Sequence, residues 1–266
     1  MRTIFINQED LVYWQARIPE HVIALGFFDG LHKGHKKVIL EAKKVANEKN
    51  QPLSVMSFFP HPKSVLSKGK VEVEYLMPLE EKQKQLALLE VDYFLVVEFT
   101  MEFAALSPKQ FIKDYVLGLG ATHVVCGYDY TYGKMGTGSP SSIVADSMGK
   151  LDVSIVPKVD LRGDKISSTR IRELLSAGNV SFISELIGEP YSVEWCPQNG
   201  LLPYYTLPTA GEYEVTITSN LINQNATIRV INKTKIDYGS VEIPSNNRFT
   251  ITWHQEIRDE KYKAIS

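Results

Sequence analysis

Cysteine is scarce. Cys126 and Cys196 stand 70 positions apart in a chain of 266 residues. That spacing excludes a disulfide framework or a cysteine-rich zinc knuckle. Long hydrophobic runs are missing too. None approaches the roughly 18 apolar residues that a transmembrane helix requires. Neither sign of charge is in excess: 29 Lys+Arg against 31 Asp+Glu leave −2, with a pI near 6.3. A dedicated nucleic-acid or anionic-membrane binder is thereby disfavoured. The opening MRTIFINQEDLVYW has no cationic region followed by an apolar stretch, so no secretory signal is expected. Internal repeats and low-complexity tracts do not occur. These absences leave an expected cytoplasmic chain with small-molecule partners, no nucleic acid and no membrane.

What is present is ordinary globular material, 44% hydrophobic and 23% charged, enough to bury a core without metal or disulfides. Short apolar runs at Val22–Leu25, Leu53–Phe58, Tyr93–Val97, His123–Cys126 and Val153–Val156 are β-branched or aromatic and do not alternate. That is the pattern of strands covered on both faces. Between and after them, Gly34–Lys49, Leu79–Leu89, Pro108–Leu117, Pro140–Met148, Thr169–Ser176 and Val180–Ile187 carry apolar residues at helical spacing. Alternation of this kind predicts a doubly wound parallel sheet in an α/β domain, residues 1–187. Beyond Gly188 the helical period stops. Gly211–Ser219, Ala226–Asn232, Ser240–Ile243 and Arg248–His254 read as strands of a small antiparallel, barrel-like β domain, residues 188–266. Charge is net zero up to residue 187 and −2 beyond it, so neither part is a polyelectrolyte.

The densest chemistry is Gly26-Phe27-Phe28-Asp29-Gly30-Leu31-His32-Lys33-Gly34-His35, which leaves a predicted strand and opens the first long helix. Its glycines allow tight turns and close backbone approach to an anion. The helix start aims free amides at the same point. His32 and His35 can donate to phosphate oxygens, while Lys33, Lys36 and Lys37 add positive potential. A His-x-x-His metal site is the competing reading, although no Cys or carboxylate cluster completes a tetrahedral set. A second element, Ile166-Ser167-Ser168-Thr169-Arg170-Ile171-Arg172, offers three hydroxyls and two guanidiniums at a helix start. Third comes Cys126-Gly127-Tyr128-Asp129-Tyr130-Thr131-Tyr132-Gly133, an aromatic, Gly-rich loop after the fourth predicted strand. Its tyrosines can flank a planar ring, and Asp129 can accept hydrogen bonds. Fourth is Phe58-Phe59-Pro60-His61-Pro62, after the second predicted strand, which can form an apolar wall.

GFFDGLHKGH resembles the HxGH signature of the nucleotidyltransferase superfamily, and ISSTRIR resembles its ISSTxxR partner. With FFPHP and GYDYTYGKMGTG in order, residues 15–187 resemble the adenylyltransferase half of bacterial FAD synthetase, the bifunctional riboflavin kinase/FMN adenylyltransferase family. The resemblance implies AMP transfer from ATP to FMN, giving FAD and pyrophosphate. It makes His32, His35 and Arg172 catalytic. The ATP side would be lined by Gly26, Phe27, Phe28, Gly34, His35, Asp129, Ser167, Ser168, Thr169 and Arg172. The FMN side would be lined by Phe59, Pro60, His61, Pro62, Tyr128 and Tyr130. Magnesium would arrive on the ATP phosphates, with no dedicated protein metal site. Family members commonly carry a Phe-rich fourth-strand loop with an extra Arg, whereas Tyr130, Thr131 and Tyr132 stand there in this chain.

In that family the chain continues into a riboflavin kinase barrel, through a segment ending in Pro-Thr-Ala-Asn. Here Glu189-Pro190-Tyr191 resembles the barrel's usual start, but only Asn199–Thr206 fills the gap before Leu207-Pro208-Thr209-Ala210-Gly211. Gly211 replaces the Asn, and no Glu is convincingly placed as the kinase base. The expectation is FAD synthesis without riboflavin phosphorylation. The β domain is left to cover the active site or to support weak homo-oligomer formation. Competing functions are another nucleotidyltransferase of the same fold, a non-catalytic flavin- or nucleotide-binding regulator, and a bifunctional enzyme with a divergent kinase.

Overall fold

The computed structural model describes residues 1–71, 73–196, 200–201, 205–241 and 248–257. The chain divides into two compact units, Met1–Val73 with Leu79–Asp160 and Glu74–Pro78 with Leu161–Ser266.

The first unit is built on a parallel sheet of six strands. They are β1 (Arg2–Ile6), β2 (His21–Leu25), β3 (Leu53–Phe59), β4 (Tyr93–Glu98), β5 (Ala121–Gly127) and β6 (Asp152–Val156), in the order β1-β4-β3-β2-β5-β6. All five residues of β2 are buried, as the unbroken apolar run Val22–Leu25 after His21 requires of a central strand. The chain winds one way from β2 through β3 to β4 and the other way through β5 to β6. Strand order therefore reverses between β2 and β5, and ligands of open α/β sheets bind at the carboxyl edge of such a switch point. The helices are α1 (Leu11–Gln15), α2 (Lys33–Lys49), α3 (Pro62–Leu66), α4 (Leu79–Leu88), α5 (Met101–Ala104), α6 (Pro108–Phe111) and α7 (Ile143–Asp146). The predicted helix Pro108–Leu117 is formed by α6 and a wider π turn, Ile112–Leu117. The predicted Pro140–Met148 narrows to a 3-10 turn at Pro140–Ser142 followed by α7.

Cys126 lies fully buried in β5, where desolvation pushes its thiol up to about 12. A group with a raised folded pKa stabilises fully below its unfolded value of 9.0 and loses that contribution as pH rises towards 12. Cys126→Ala should therefore lose stability less steeply than the parent chain above pH 9. Urea unfolding across that range checks this, and parallel slopes would refute it.

The second unit opens with a two-stranded ribbon of β7 (Asp160–Leu161) and β8 (Asp164–Lys165), the first strand straddling the boundary. Then come α8 (Ser168–Ser176) and α9 (Val180–Ile187). An antiparallel, barrel-like sheet follows, made of β9 (Ser192–Cys196), β10 (Gly200–Leu201), β11 (Gly211–Thr218), β12 (Asn223–Asn232), β13 (Lys235–Asp237) and β14 (Phe249–Ile257). Its order is β10-β9-β14-β11-β12-β13. Alternating burial along β11 places Tyr213, Val215 and Ile217 inside, where Tyr213 meets the Trp253 ring edge-on at 5.3 Å. Ser240 and Val241 lie outside any strand, and the rest of the predicted Ser240–Ile243 lies outside the described residues. The change of periodicity falls after Ile187, yet the compact units divide at Asp160. The reason is that α8 and α9 group with the β sheet. The buried Gly178 between them leaves its Cβ side to the Glu256 carboxylate, 2.7 Å away, and the Thr209 amide donates to the Leu175 carbonyl at 2.9 Å.

Candidate active site

The carboxyl ends of β2, β3 and β5 lie side by side, with Leu25 in register with Met56 and Cys126. Three of the four sequence motifs leave from these ends. After Leu25 the backbone turns sharply: Phe28, Gly30 and Leu31 all take positive φ, at 54°, 78° and 36°. For Phe and Leu that conformation costs about 1–2 kcal/mol each. Gly26 is required here by packing, since a Cβ on it would meet the Phe28 ring at 2.8 Å. Phe28 itself is buried and stands edge-on to His35, centroids 5.4 Å apart, so its visible role is support. His32 caps α2: its Nδ1 accepts from the His35 amide at 3.2 Å. The two imidazoles stack at 3.6 Å with an 18° interplanar angle. Gly34, second residue of α2, adds no Cβ to this first turn. The 17-residue helix has no acidic residue in its first turn but begins Lys33-Gly34-His35-Lys36-Lys37. Cations at a helix N-terminus oppose the macrodipole, and an anion placed there offsets both.

The β3 loop joins this centre. Phe59-Pro60 is a cis peptide, and Pro62 opens α3 with His61 as its cap, accepting from the Lys63 amide at 3.0 Å. The His61 ring meets Phe27 edge-on at 4.3 Å. Ser57, fully buried in β3, donates its hydroxyl to the Phe27 carbonyl at 2.8 Å.

After β5, Tyr128 and Asp129 are exposed, while Tyr130 is partly buried and packs on the sheet core, its ring parallel to Tyr132 at 6.0 Å. Burial and the neighbouring carboxylate raise the Tyr132 hydroxyl, which donates to Asp146 at 2.6 Å and pairs with Ser142 at 2.9 Å. Tyr132 and Gly138 exchange backbone hydrogen bonds, closing a short excursion whose tip, Met135, is 91% exposed. Tyr132 thus anchors the loop, and Tyr128 and Asp129 are its presented side chains.

ISSTRIR belongs to the second unit. Ser167 caps α8, accepting from the Arg170 amide at 3.2 Å, while Ile171 and Leu175 are buried one turn apart. Ser168 is half-buried and Thr169 exposed at the first turn. The Arg172 Nε donates to the Glu74 carbonyl at 3.1 Å, and Arg170 pairs with Asp164 at 3.0 Å.

Two neighbours of the β2 loop were not foreseen. Asp29 is buried inside the loop, and Lys82, on α4, is buried beneath it at 2% exposure. The Lys82 Nζ donates to the Phe27 carbonyl at 2.8 Å and the Ser57 hydroxyl at 3.3 Å, and stands 4.7 Å from the Phe27 ring centroid. Desolvation pulls this ammonium down to about 8, against the opposing attraction of Asp29. The sequence signal is an apolar stripe, Leu79-x-x-Lys82-x-x-x-Leu86, in which a lysine takes a core-facing position. Among the described residues, no group of three or more His, Cys, Asp and Glu side chains is placed to hold a metal ion.

The FAD synthetase family model matches residues 15–170. The chain belongs to the FAD synthetase family. A relative in Listeria monocytogenes, named bifunctional riboflavin kinase/FMN adenylyltransferase, is 44% identical over 73% of this chain and 62% of its own length. The match thus spans about three fifths of that relative's length. Another Listeria protein, named FAD synthetase, is 32% identical over 79% of this chain and 86% of its own. A solved Streptococcus pneumoniae structure, described as a macrolide-efflux protein, superposes with a TM-score of 0.82 at 26% identity. It covers 97% of this chain and 91% of that one. Among the described residues of this FAD synthetase family member, no helix is long and apolar enough to cross a membrane.

Proposed function

We propose that the chain transfers AMP from magnesium-bound ATP to FMN, releasing FAD and pyrophosphate. An FMN phosphate oxygen attacks the α-phosphorus in line, the new P–O bond forms, and the α–β bridge bond breaks towards pyrophosphate. No covalent enzyme intermediate is needed, so catalysis rests on positioning and charge stabilisation. One observation carries the reading. At the switch point of the sheet, a long helix whose first turn carries basic and no acidic side chains is capped by His32, with His35 stacked on it. His32 and His35 hold the transferring phosphate and stabilise its developing charge. Ser167, Ser168, Thr169 and Arg172 take the phosphate tail and the leaving pyrophosphate. Phe59, Pro60, His61, Pro62, Tyr128 and Tyr130 serve the flavin, and Gly26, Gly34, Phe27, Phe28 and Asp129 the nucleotide. Magnesium enters with ATP as its phosphate complex.

We further propose that residues 1–187 carry this activity and that residues 188–266 form a β domain without riboflavin kinase activity. Part of the expected gap, Asn199 and Leu202–Tyr204, lies outside the described residues. What supports the reading is that the Thr209 backbone is engaged at both ends. Its amide donates to Leu175, and its carbonyl accepts from the Tyr213 hydroxyl at 2.8 Å. The Pro208-Thr209-Ala210 segment thus links α8 to β11 in the second unit. Purified protein with magnesium-ATP should convert FMN to FAD and leave riboflavin unphosphorylated. FMN formed from riboflavin at turnover rates would overturn the second proposal, and no FAD from FMN the first.

A further inference from the structure

The loop between β2 and α2 holds Phe28 and Leu31 in left-handed backbone conformations. Such residues persist only where the surroundings over-determine them. Two side chains converge on the carbonyl that precedes this turn. Ser57, from β3, donates its hydroxyl to the Phe27 oxygen, and Lys82, from α4, donates its ammonium to the same oxygen and to Ser57. The ammonium also faces the Phe27 ring, which His61 meets edge-on.

Burying an ammonium is costly unless its charge is used. The structure offers two uses, both in the loop: the Phe27 carbonyl dipole and the Asp29 carboxylate buried within the turn. A neutral side chain of similar length would fill the same space without that desolvation cost. Lys82 is therefore not explained by packing.

Resting on the adenylyl-transfer reading, we propose that Lys82 is a positioning residue for the phosphate-binding loop. Its buried cation fixes the Phe27 carbonyl and balances Asp29, so that the turn delivers His32 and His35 in their stacked, helix-capping arrangement. Lys82 touches no substrate. It acts through the loop, which accounts for a buried charge on a helix otherwise packed by leucines.

The test is magnesium-ATP binding by calorimetry, alongside steady-state FAD formation, for the full chain and Lys82→Met. The expected result is a chain that still folds, at a lowered thermal midpoint, with ATP binding weakened about 10-fold or more, a loss typical of an unpaired buried charge network. FMN affinity, read by flavin fluorescence quenching, should change less than about threefold. The variant should also flatten the alkaline limb of the kcat/KM profile for ATP. In the parent chain Lys82 gives up its proton near pH 8, with Asp29 facing it from the loop and His61 across Phe27. A folded Lys82→Met that binds ATP within about threefold of the parent overturns the proposal. If Lys82→Met does not fold, Ser57→Ala decides on the same measurement: weakened ATP binding supports the proposal and unchanged binding overturns it. A parent chain that binds ATP but forms no FAD defeats the adenylyl-transfer reading and leaves the loop test standing. A parent chain that binds no ATP defeats both.

Discussion

Replacing His32 by alanine should lower the rate of FAD formation by about 10²- to 10³-fold, the usual cost of removing one preorganised donor from a developing anion. Two effects must be separated, because His32 does two things. Its Nδ1 caps α2 by accepting from the His35 amide, and losing a cap costs about 1 kcal/mol of stability. Its ring also stacks on His35 beside the basic first turn. His32→Ser divides the roles, since a serine hydroxyl caps a helix well but supplies no imidazole. The serine variant should regain the thermal midpoint of the parent chain while its turnover stays as low as that of alanine. FMN affinity should hold in both, because the proposed mechanism assigns the histidines to the phosphate and not to the flavin ring. Turnover restored together with stability would mean that His32 matters only as a cap. A chain with no turnover to lose, yet with tight FMN binding, would instead point to a non-catalytic flavin-binding regulator.

Much of this arrangement could be read from residue order. Five parallel strands announced themselves as short runs rich in β-branched and aromatic residues; for the central β2, burial on both faces leaves no polar side to display, while in the edge strand β6 only Val156 is buried. β1 did not. In Arg2–Ile6 only Ile4 and Ile6 are buried while Phe5 is exposed, and five residues of an edge strand carry too little pattern to stand out. The cap of α2, the turn before it and its basic first residues were legible because helix caps, glycine turns and charge at a helix start are local chemistry. Lys82 was not, because its buried ammonium is bonded to the Phe27 carbonyl, 55 residues away in the chain. The tyrosines after β5 show the same limit. Composition makes Tyr128, Tyr130 and Tyr132 equivalent, yet Tyr132 is the one whose hydroxyl donates to the half-buried Asp146 carboxylate while Tyr128 is exposed. The grouping of α8 and α9 with the β sheet also escaped a reading by period. Apolar spacing tells which face of a helix is buried but not against what.

Gly133→Ala should be among the most destabilising single-methyl additions available to the first unit, at about 4 kcal/mol. Gly133 sits at φ 71° and ψ −177°, a region essentially reserved for glycine. A Cβ there would also lie 2.7 Å from the Pro108 nitrogen and 2.9 Å from its Cα and Cδ. Backbone and a proline ring at the start of α6 cannot swing aside as the tip of a long side chain can. Two other glycines calibrate the expectation. Gly149 has φ +75° with nothing within 4 Å of a new Cβ, so Gly149→Ala pays only the left-handed strain, about 1 kcal/mol. Gly136, at φ +67° with Thr131 Oγ1 at 3.2 Å, falls between them, since a threonine hydroxyl on an open loop can give way. Thermal unfolding should therefore rank the variants Gly149, Gly136, Gly133 in increasing damage. The last should lose about 10 °C or more in melting temperature for a unit of this size. Functional consequences should follow the same order, because Gly133 lies within the excursion that the Tyr132–Gly138 pair closes, directly after the segment that presents Tyr128 and Asp129. If Gly133→Ala melts with Gly149→Ala, the Pro108 contact is not rigid and the loop is held by the Tyr132 hydroxyl bonds and the Tyr132–Gly138 backbone pair instead.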